Sequence, residues 1–559
     1  MSKSSKTTGT VLILLSLIGL SIGGFFFYKF YKDGAPEINK PENIEKPMDL
    51  DIPNYKAMEP YSVLDANPNP DPSTYEIVNH EDLRFTYETI SENSRLEGML
   101  PSVGNPNVLL VPVQFDDLAR RDNMIWDENK LLRLNGVFNG TKEDCTNEYN
   151  ESVRSFYRKS SYGLLDINFV LTDPFTPSIS SDTFVSKEGI SDGGGTSMIL
   201  NEFYKKGKIN GKNINFQNPM FDINDDDYID GVWLIYNEER TSKSQYFDRY
   251  WPYVYWYIPN EPPRYGQQVF SAYANCSVNF TYQDSFQGLD AHTLIHETGH
   301  LMGLDDYYSY DLHGQVAAIG GLDMMDFNIG EHNSFSKTAL GWTNPIIPKK
   351  SGTFTLRPFE ETGDCLILAN DFNDSAFSEY IILEYYTPTG LNEFDAKKAY
   401  PGRSEYFSQS GIRAFHVDAR LVEILGNVRT GETKPTGYLD SSVTKLKQYT
   451  ADGSSVYFYV PGHSNTRSRN GSYVPTPKAK SEDLIAVISS DGKAVYGSRT
   501  PVTNKSLFRN GDSLSWSGHQ KYFPSSKINQ LKFNDGSNIK FDFSVGTIGS
   551  EGIEVQISL

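Results

Sequence analysis

The sequence predicts an α+β protein in two parts, a mixed domain over residues 106–346 and a β-rich region of one or two sandwich modules over 347–559, behind an N-terminal transmembrane helix. Three observations carry this reading. A strand, helix, strand succession runs through residues 107–171, the pattern of a mixed domain. After Pro345 the chain turns to short apolar runs separated by Gly, Asn, Asp and Ser, the pattern of antiparallel sandwiches. The length of 559 residues also exceeds what one core holds.

Residues 11–28 carry no charge, with Lys3 and Lys6 before them and Lys29 and Lys32 after. Such a run can span a bilayer. Its end, Phe25-Phe26-Phe27-Tyr28, fits an interfacial aromatic belt better than a signal-peptide cleavage site. Residues 1–33 are therefore expected to anchor the chain in a cell membrane with its bulk outside; the alternative is a cleaved signal and a secreted protein. Residues 34–105, which include Asn67-Pro68-Asn69-Pro70-Asp71-Pro72, show little periodicity and are expected as a linker or a propeptide.

The apolar run 107–115 reads as a buried strand entering a turn at Asp116-Asp117. A helix is expected over 146–160, stopped by Ser161-Tyr162-Gly163, and a strand over 164–171. Before the next apolar run, Val232-Trp233-Leu234-Ile235-Tyr236, lies an acidic loop. Asp222, Asn224, Asp226, the carbonyl of Tyr228 and Asp230 occupy positions 1, 3, 5, 7 and 9 of a calcium loop. Asp227 stands where such loops carry glycine, and Trp233 where they carry a bidentate glutamate. A structural calcium ion and a plain acidic turn are the two readings.

The chain is most specific at His296-Glu297-Thr298-Gly299-His300-Leu301-Met302-Gly303-Leu304-Asp305-Asp306. On a helix, His296 and His300 stand one turn apart on one face, where both imidazoles reach a single ion. Glu297 is then close enough to take a proton from a water that the ion polarises. Gly303 supplies a left-handed turn that ends the helix and brings back a carboxylate. Asp306 is the first choice for this third ligand, with Asp305, Asp323 or a glutamate brought by the fold as alternatives. Three protein ligands and an open position describe a catalytic zinc, not a structural one. Histidine is scarce, 9 of 559 residues, so chance spacing is a poor explanation. Asp290 is placed to cap the helix. Met324 and Met325 form a turn farther on, and Tyr307 or Tyr308 could donate to an oxyanion.

The formal net charge of -20 argues against nucleic acid as a partner. Cys145, Cys276 and Cys365 allow at most one disulfide and are expected as small buried hydrophobes. Beyond residue 346, strands are expected at 352–356, 380–386, 412–417, 456–460, 484–488 and 539–543. His416 and Asp418 are read as structural.

Several segments together resemble the immune inhibitor A-type metallopeptidases, a family of secreted bacterial zinc proteases. They are Ser152-Val153-Arg154-Ser155-Phe156-Tyr157 with Ser161-Tyr162-Gly163, the acidic loop before Asp230-Gly231, the histidine motif, Gly321-Leu322-Asp323-Met324-Met325-Asp326 and Leu340-Gly341-Trp342. Ser378-Glu379-Tyr380 and Gly411-Ile412-Arg413-Ala414-Phe415-His416-Val417-Asp418 extend the likeness across roughly residues 105–420. The resemblance implies a metzincin-like zinc protease domain acting on protein or peptide substrates. It further implies His296, His300 and Asp306 as zinc ligands, Glu297 as general base and acid, and Met325 as the methionine under the site. A surface adhesin, with the β region as its binding part, is the competing reading.

Overall fold

The computed structural model describes residues 69, 71–79, 99–122, 124–140, 151–188, 194–238, 250–257, 267–283, 288–308, 319–326, 330–372, 375–397, 406–427, 432–438, 447–451, 454–459, 483–493 and 502–559. The expected membrane segment 11–28 and Cys145 lie outside these residues. Among the described residues no helix is long and apolar enough to cross a membrane.

In chain order the strands used below begin with β1 (Tyr75–Ile77), β2 (Asn107–Val113), β3 (Asn168–Leu171), β4 (Val232–Tyr236), β5 (Tyr253–Trp256) and β6 (Ala272–Ser277). They continue with β7 (Ile346–Pro348), β8 (Gly352–Leu356), β9 (Cys365–Leu368), β10 (Glu379–Tyr386), β11 (Gly411–Asp418) and β12 (Val422–Asn427). The last are β13 (Glu432–Tyr438), β14 (Lys447–Ala451), β15 (Ser454–Tyr459), β16 (Ile485–Val487), β17 (Asp542–Ile548) and β18 (Ile553–Ser558). The principal helices are α1 (Asp116–Asp122), α2 (Glu128–Asn139), α3 (Val153–Ser160), α4 (Ser181–Glu188), α5 (Gly194–Lys206), α6 (His292–Leu301) and α7 (Ser334–Ala339).

The mixed domain is built on a five-stranded sheet of order β3-β2-β4-β6-β5. Its strands run parallel except β5, which lies antiparallel to β6 at the edge. Parallel strands are covered on both faces, and β2 and β4 are accordingly apolar at nearly every position. Alternation sorts their side chains. Val108, Leu110, Trp233, Ile235, Ala274 and Cys276 join a core with α2, α3 and α6, whereas Leu109, Val111, Val232, Leu234 and Tyr236 face Phe184, Ile199, Leu200 and Phe203 of α4 and α5.

The second part centres on a six-stranded sheet, order β1-β7-β9-β10-β11-β16. One face, with Ile367, Tyr380, Ile382, Phe415 and Val417, belongs to the same core as Phe156, Tyr157, Phe335 and Trp342 of the mixed domain. The other face, with Leu366, Leu368, Ile381 and Leu383, packs with the three-stranded sheet β8-β18-β17 through Phe354, Val555 and Phe543. A further antiparallel sheet, β13-β12-β15-β14, is inserted between β11 and β16.

The expected boundary at 346/347 falls within β7, and the larger sheet of the C-terminal sandwich also walls the core of the mixed domain. Within the stretch 34–105, Tyr75, Glu76 and Ile77 pair with Pro348, Ile347 and Ile346. The terminal run also lies later than expected. Residues 531–539 form a hairpin-like turn, with Ile539 N–H donating to the Leu531 carbonyl, and the strand begins at Asp542. Cys276 and Cys365 are buried free thiols.

Candidate metal centre

Helix α6 carries the histidine motif. Its N-cap position is Ala291, which makes no side-chain cap, but Asp290 still serves the first turn by accepting the His292 N–H at 3.0 Å. Gly303, at φ +97°, ends the helix as the sequence predicts. The chain then folds back, with Leu304 N–H donating to the Gly299 carbonyl at 3.1 Å, and Asp306 is delivered to the histidines.

His296 Nε2 lies 2.9 Å and His300 Nε2 3.1 Å from the same oxygen, Asp306 Oδ1. The opposite ring nitrogens are anchored on backbone: His296 Nδ1 lies 2.8 Å from the Met324 carbonyl, and His300 Nδ1 lies 2.6 Å from the Leu304 carbonyl. A carbonyl only accepts, so both rings donate Nδ1–H to backbone, and Nε2 is left to face Asp306: it donates to the carboxylate when the imidazole is protonated, and in the neutral ring it carries the lone pair that a metal would take. This is how metal-binding imidazoles are held. The three donor atoms lie within 4.8 Å of one another, and this is the one such group of His, Cys, Asp or Glu side chains found among the described residues. Two imidazole nitrogens and one carboxylate oxygen fit zinc, whose ligands at bond lengths of about 2.0–2.2 Å on a tetrahedron stand about 3.4 Å apart. The His296 and His300 side chains keep 13% and 19% of their surface exposed, so the cluster can be reached from solvent.

The charges of the three groups are coupled to one another. Burial disfavours a charge on His300, but the Asp306 carboxylate overrides it and pushes the imidazole up to about 10. The same balance, burial against the Asp306 hydrogen bond, raises His296. Burial works to raise Asp306 as well, and the two imidazoles instead hold it far below the ordinary carboxylate range. Glu297 moves the other way. It is buried, and that burial raises it while the two imidazoles pull back. Tyr308 stacks on the His296 ring at 6.2 Å, whereas Tyr307 is fully buried and meets Ser336 Oγ at 3.0 Å. Of the two tyrosines only Tyr308 is thus shown against a metal-ligand candidate.

Of the carboxylates considered for the third ligand, the structure gathers Asp306 with the histidines. Asp323 instead lies buried beneath the methionine turn. Met325 is fully buried against α6: a Cβ added at Gly299 would lie 2.5 Å from Met325 Sδ. Two supports escape a reading by motif alone. Tyr157 of α3 donates its O–H to the Ile295 carbonyl at 2.6 Å and so fixes α6, while Arg154 anchors α3 on Asp166 through bonds of 2.6 and 2.9 Å. The segment from Ser152 to Tyr157 held this signal, because a buried arginine and tyrosine on one short helix require partners.

The acidic loop forms apart from this cluster. Asp222 accepts from Asp226 and Asp227 N–H at 3.0 and 3.1 Å, Asp226 accepts from Tyr228 N–H at 2.9 Å, and Asn224 donates to Asp226 at 3.0 Å. Asp227 takes the left-handed conformation, φ +64°, that glycine usually supplies at its position. Asp230 Oδ1 accepts from Ile223 N–H, while its Oδ2 is buried without a hydrogen-bond partner. The carboxylates of Asp222, Asp226 and Asp230 do not converge as closely as the histidine cluster.

His416 and Asp418 stand in a closed network. His416 meets Glu379 at 2.9 Å, and Arg420 pairs with Asp418 at 2.7 and 2.8 Å. Comparison of the chain with protein-family models and with curated proteins gave no match.

Proposed function

We propose that the chain is a zinc-dependent endopeptidase, held outside a cell membrane by residues 11–28 and acting on protein or peptide substrates. One observation carries this reading: two anchored imidazoles turn Nε2 onto a single carboxylate oxygen, and a buried glutamate outside that ligand set directly follows the first histidine. Bound zinc would supply Lewis-acid polarisation of the scissile carbonyl and a water of near-neutral pKa.

His296, His300 and Asp306 would hold the ion. Glu297 takes the proton of the attacking water and returns it to the leaving amine. Its burial, by raising the carboxyl, brings it nearer the range such a proton carrier needs. Tyr308 is the candidate donor to the oxyanion. Strand β5 packs against α6 and, among the described residues, pairs only with β6, so an extended peptide laid along its outer edge would gain main-chain hydrogen bonds. In the acidic loop, calcium would be structural.

The test is casein cleavage. Activity abolished by a chelator and restored by zinc is the expected result, and a purely adhesive protein would show none. Glu297→Ala should retain metal and fold while losing cleavage; undiminished cleavage in that variant would overturn the mechanism.

A further inference from the structure

Directly before the two methionines stands Asp323, a fully buried acid outside the ligand cluster. Its Oδ1 accepts the Met325 N–H at 2.8 Å and lies 3.0 Å from His332 Nδ1. Its Oδ2 accepts the Asn333 N–H at 2.7 Å and the Ser336 hydroxyl at 2.9 Å. Four donors on two oxygens fill what a carboxylate can accept. Because Ser336 gives its proton to Asp323, the Tyr307 O–H donates to Ser336, which ties the segment after Asp306 to the same acid.

We propose that Asp323 is a positioning residue for His296. Three of its bonds fasten it to the 332–336 segment, and the fourth hangs the 324–325 turn from it by the Met325 N–H. The carbonyl that this turn exposes is Met324 O, which holds His296 Nδ1 at 2.8 Å and so aims Nε2 at Asp306. The support reaches into the second part of the molecule. Ser334 N–H donates to Glu384 Oε2 on β10 at 2.6 Å, and Glu384 pairs with Arg413 on β11. A buried line of bonds thus runs from the C-terminal sheet to one imidazole. The inference rests on the reading of His296, His300 and Asp306 as metal ligands, and does not depend on peptidase activity.

The experiment is a titration of the full chain with cobalt(II), following its visible absorption bands and its affinity. Wild type should bind with bands that report the ligand geometry. Asp323→Asn should fold and yet bind about tenfold or more weakly with shifted bands, since an amide turns an N–H₂ group toward donors and since partners behind metal ligands commonly matter by about 10–100-fold. Asp418→Asn, at another buried acid, in the C-terminal sheet, should leave affinity and bands unchanged. A folded Asp323→Asn with wild-type affinity and bands would overturn the proposal, as would an equal loss in Asp418→Asn. If Asp323→Asn does not fold, Ser336→Ala decides: it removes one donor, and a few-fold weakening with shifted bands supports the proposal while wild-type behaviour overturns it. Absence of cobalt binding in wild type overturns the ligand reading, and this inference with it.

Discussion

Gly299 shows how tightly the metal centre is fitted. Inside a helix glycine costs about 0.5–1 kcal/mol relative to alanine, so replacing it there ordinarily stabilises. Here a Cβ would meet Met325 Sδ at 2.5 Å and Tyr157 Oη at 3.3 Å. Both neighbours are fully buried, and Tyr157 is tied to α6 by its own hydrogen bond. Gly299→Ala is therefore expected to destabilise by about 1–3 kcal/mol, the usual cost of overpacking, as measured by denaturant unfolding. A stabilised variant would show that the methionine turn yields freely. In the sequence His296, His300 and Glu297 were legible because helical spacing fixes which side chains share a face. Asp306 was separable from Asp305 and Asp323 only by tracing the turn after Gly303. The anchors of the two rings were not legible, for they are the backbone carbonyls of Met324 and Leu304, and any residue type supplies a carbonyl.

Among the elements, the acidic loop between residues 222 and 230 makes the sharpest claim. Burial, and then the charges of Asp222 and Asp226, raise Asp230 to about 7, against about 3.9 for an aspartate in an unfolded chain. Between these values the folded protein keeps a proton that the unfolded chain has lost, so stability falls as pH rises from about 4 to about 7 and stays low above. A cation held by the loop would offset that loss only where Asp230 is ionised. Calcium should thus raise the melting temperature at pH 8 and do little at pH 5, and Asp230→Asn should flatten the pH dependence. Equal melting at pH 8 with calcium and with a calcium chelator would leave a plain acidic turn. The loop was readable because its oxygen side chains recur at alternate positions. Strand β4 after it was readable to the residue, since five successive apolar residues follow a glycine. The strand expected at 164–171 shrank to β3, because the Leu164 N–H and the Ser161 hydroxyl belong to the turn that closes α3.

At the scale of the whole molecule the question is whether the mixed domain stands alone. Sequence placed a boundary at 346/347 because composition shifts there, and composition cannot show that a sheet is shared between two cores. In the fold Phe156, Tyr157, Phe335 and Trp342 share a core with Ile367, Tyr380, Ile382 and Phe415, and β1, from before the domain, is paired to β7. Burying one such side chain stabilises by about 1.5–3 kcal/mol, so uncovering four forfeits about 6–12 kcal/mol, as much as the whole net stability of a typical domain, about 5–15 kcal/mol. Polar supports go as well: Glu384, which accepts the Ser334 N–H, and the Phe359 carbonyl, which accepts the Tyr162 O–H at 2.5 Å, both lie beyond residue 346. A chain ending at residue 346 is therefore expected to show no cooperative thermal transition and no cobalt binding, although all three ligand candidates and Glu297 remain. A sharp transition with wild-type cobalt affinity in that truncated chain would restore the boundary as a division between independent domains, and the C-terminal sheet would then be a neighbour of the metal centre and not one of its walls.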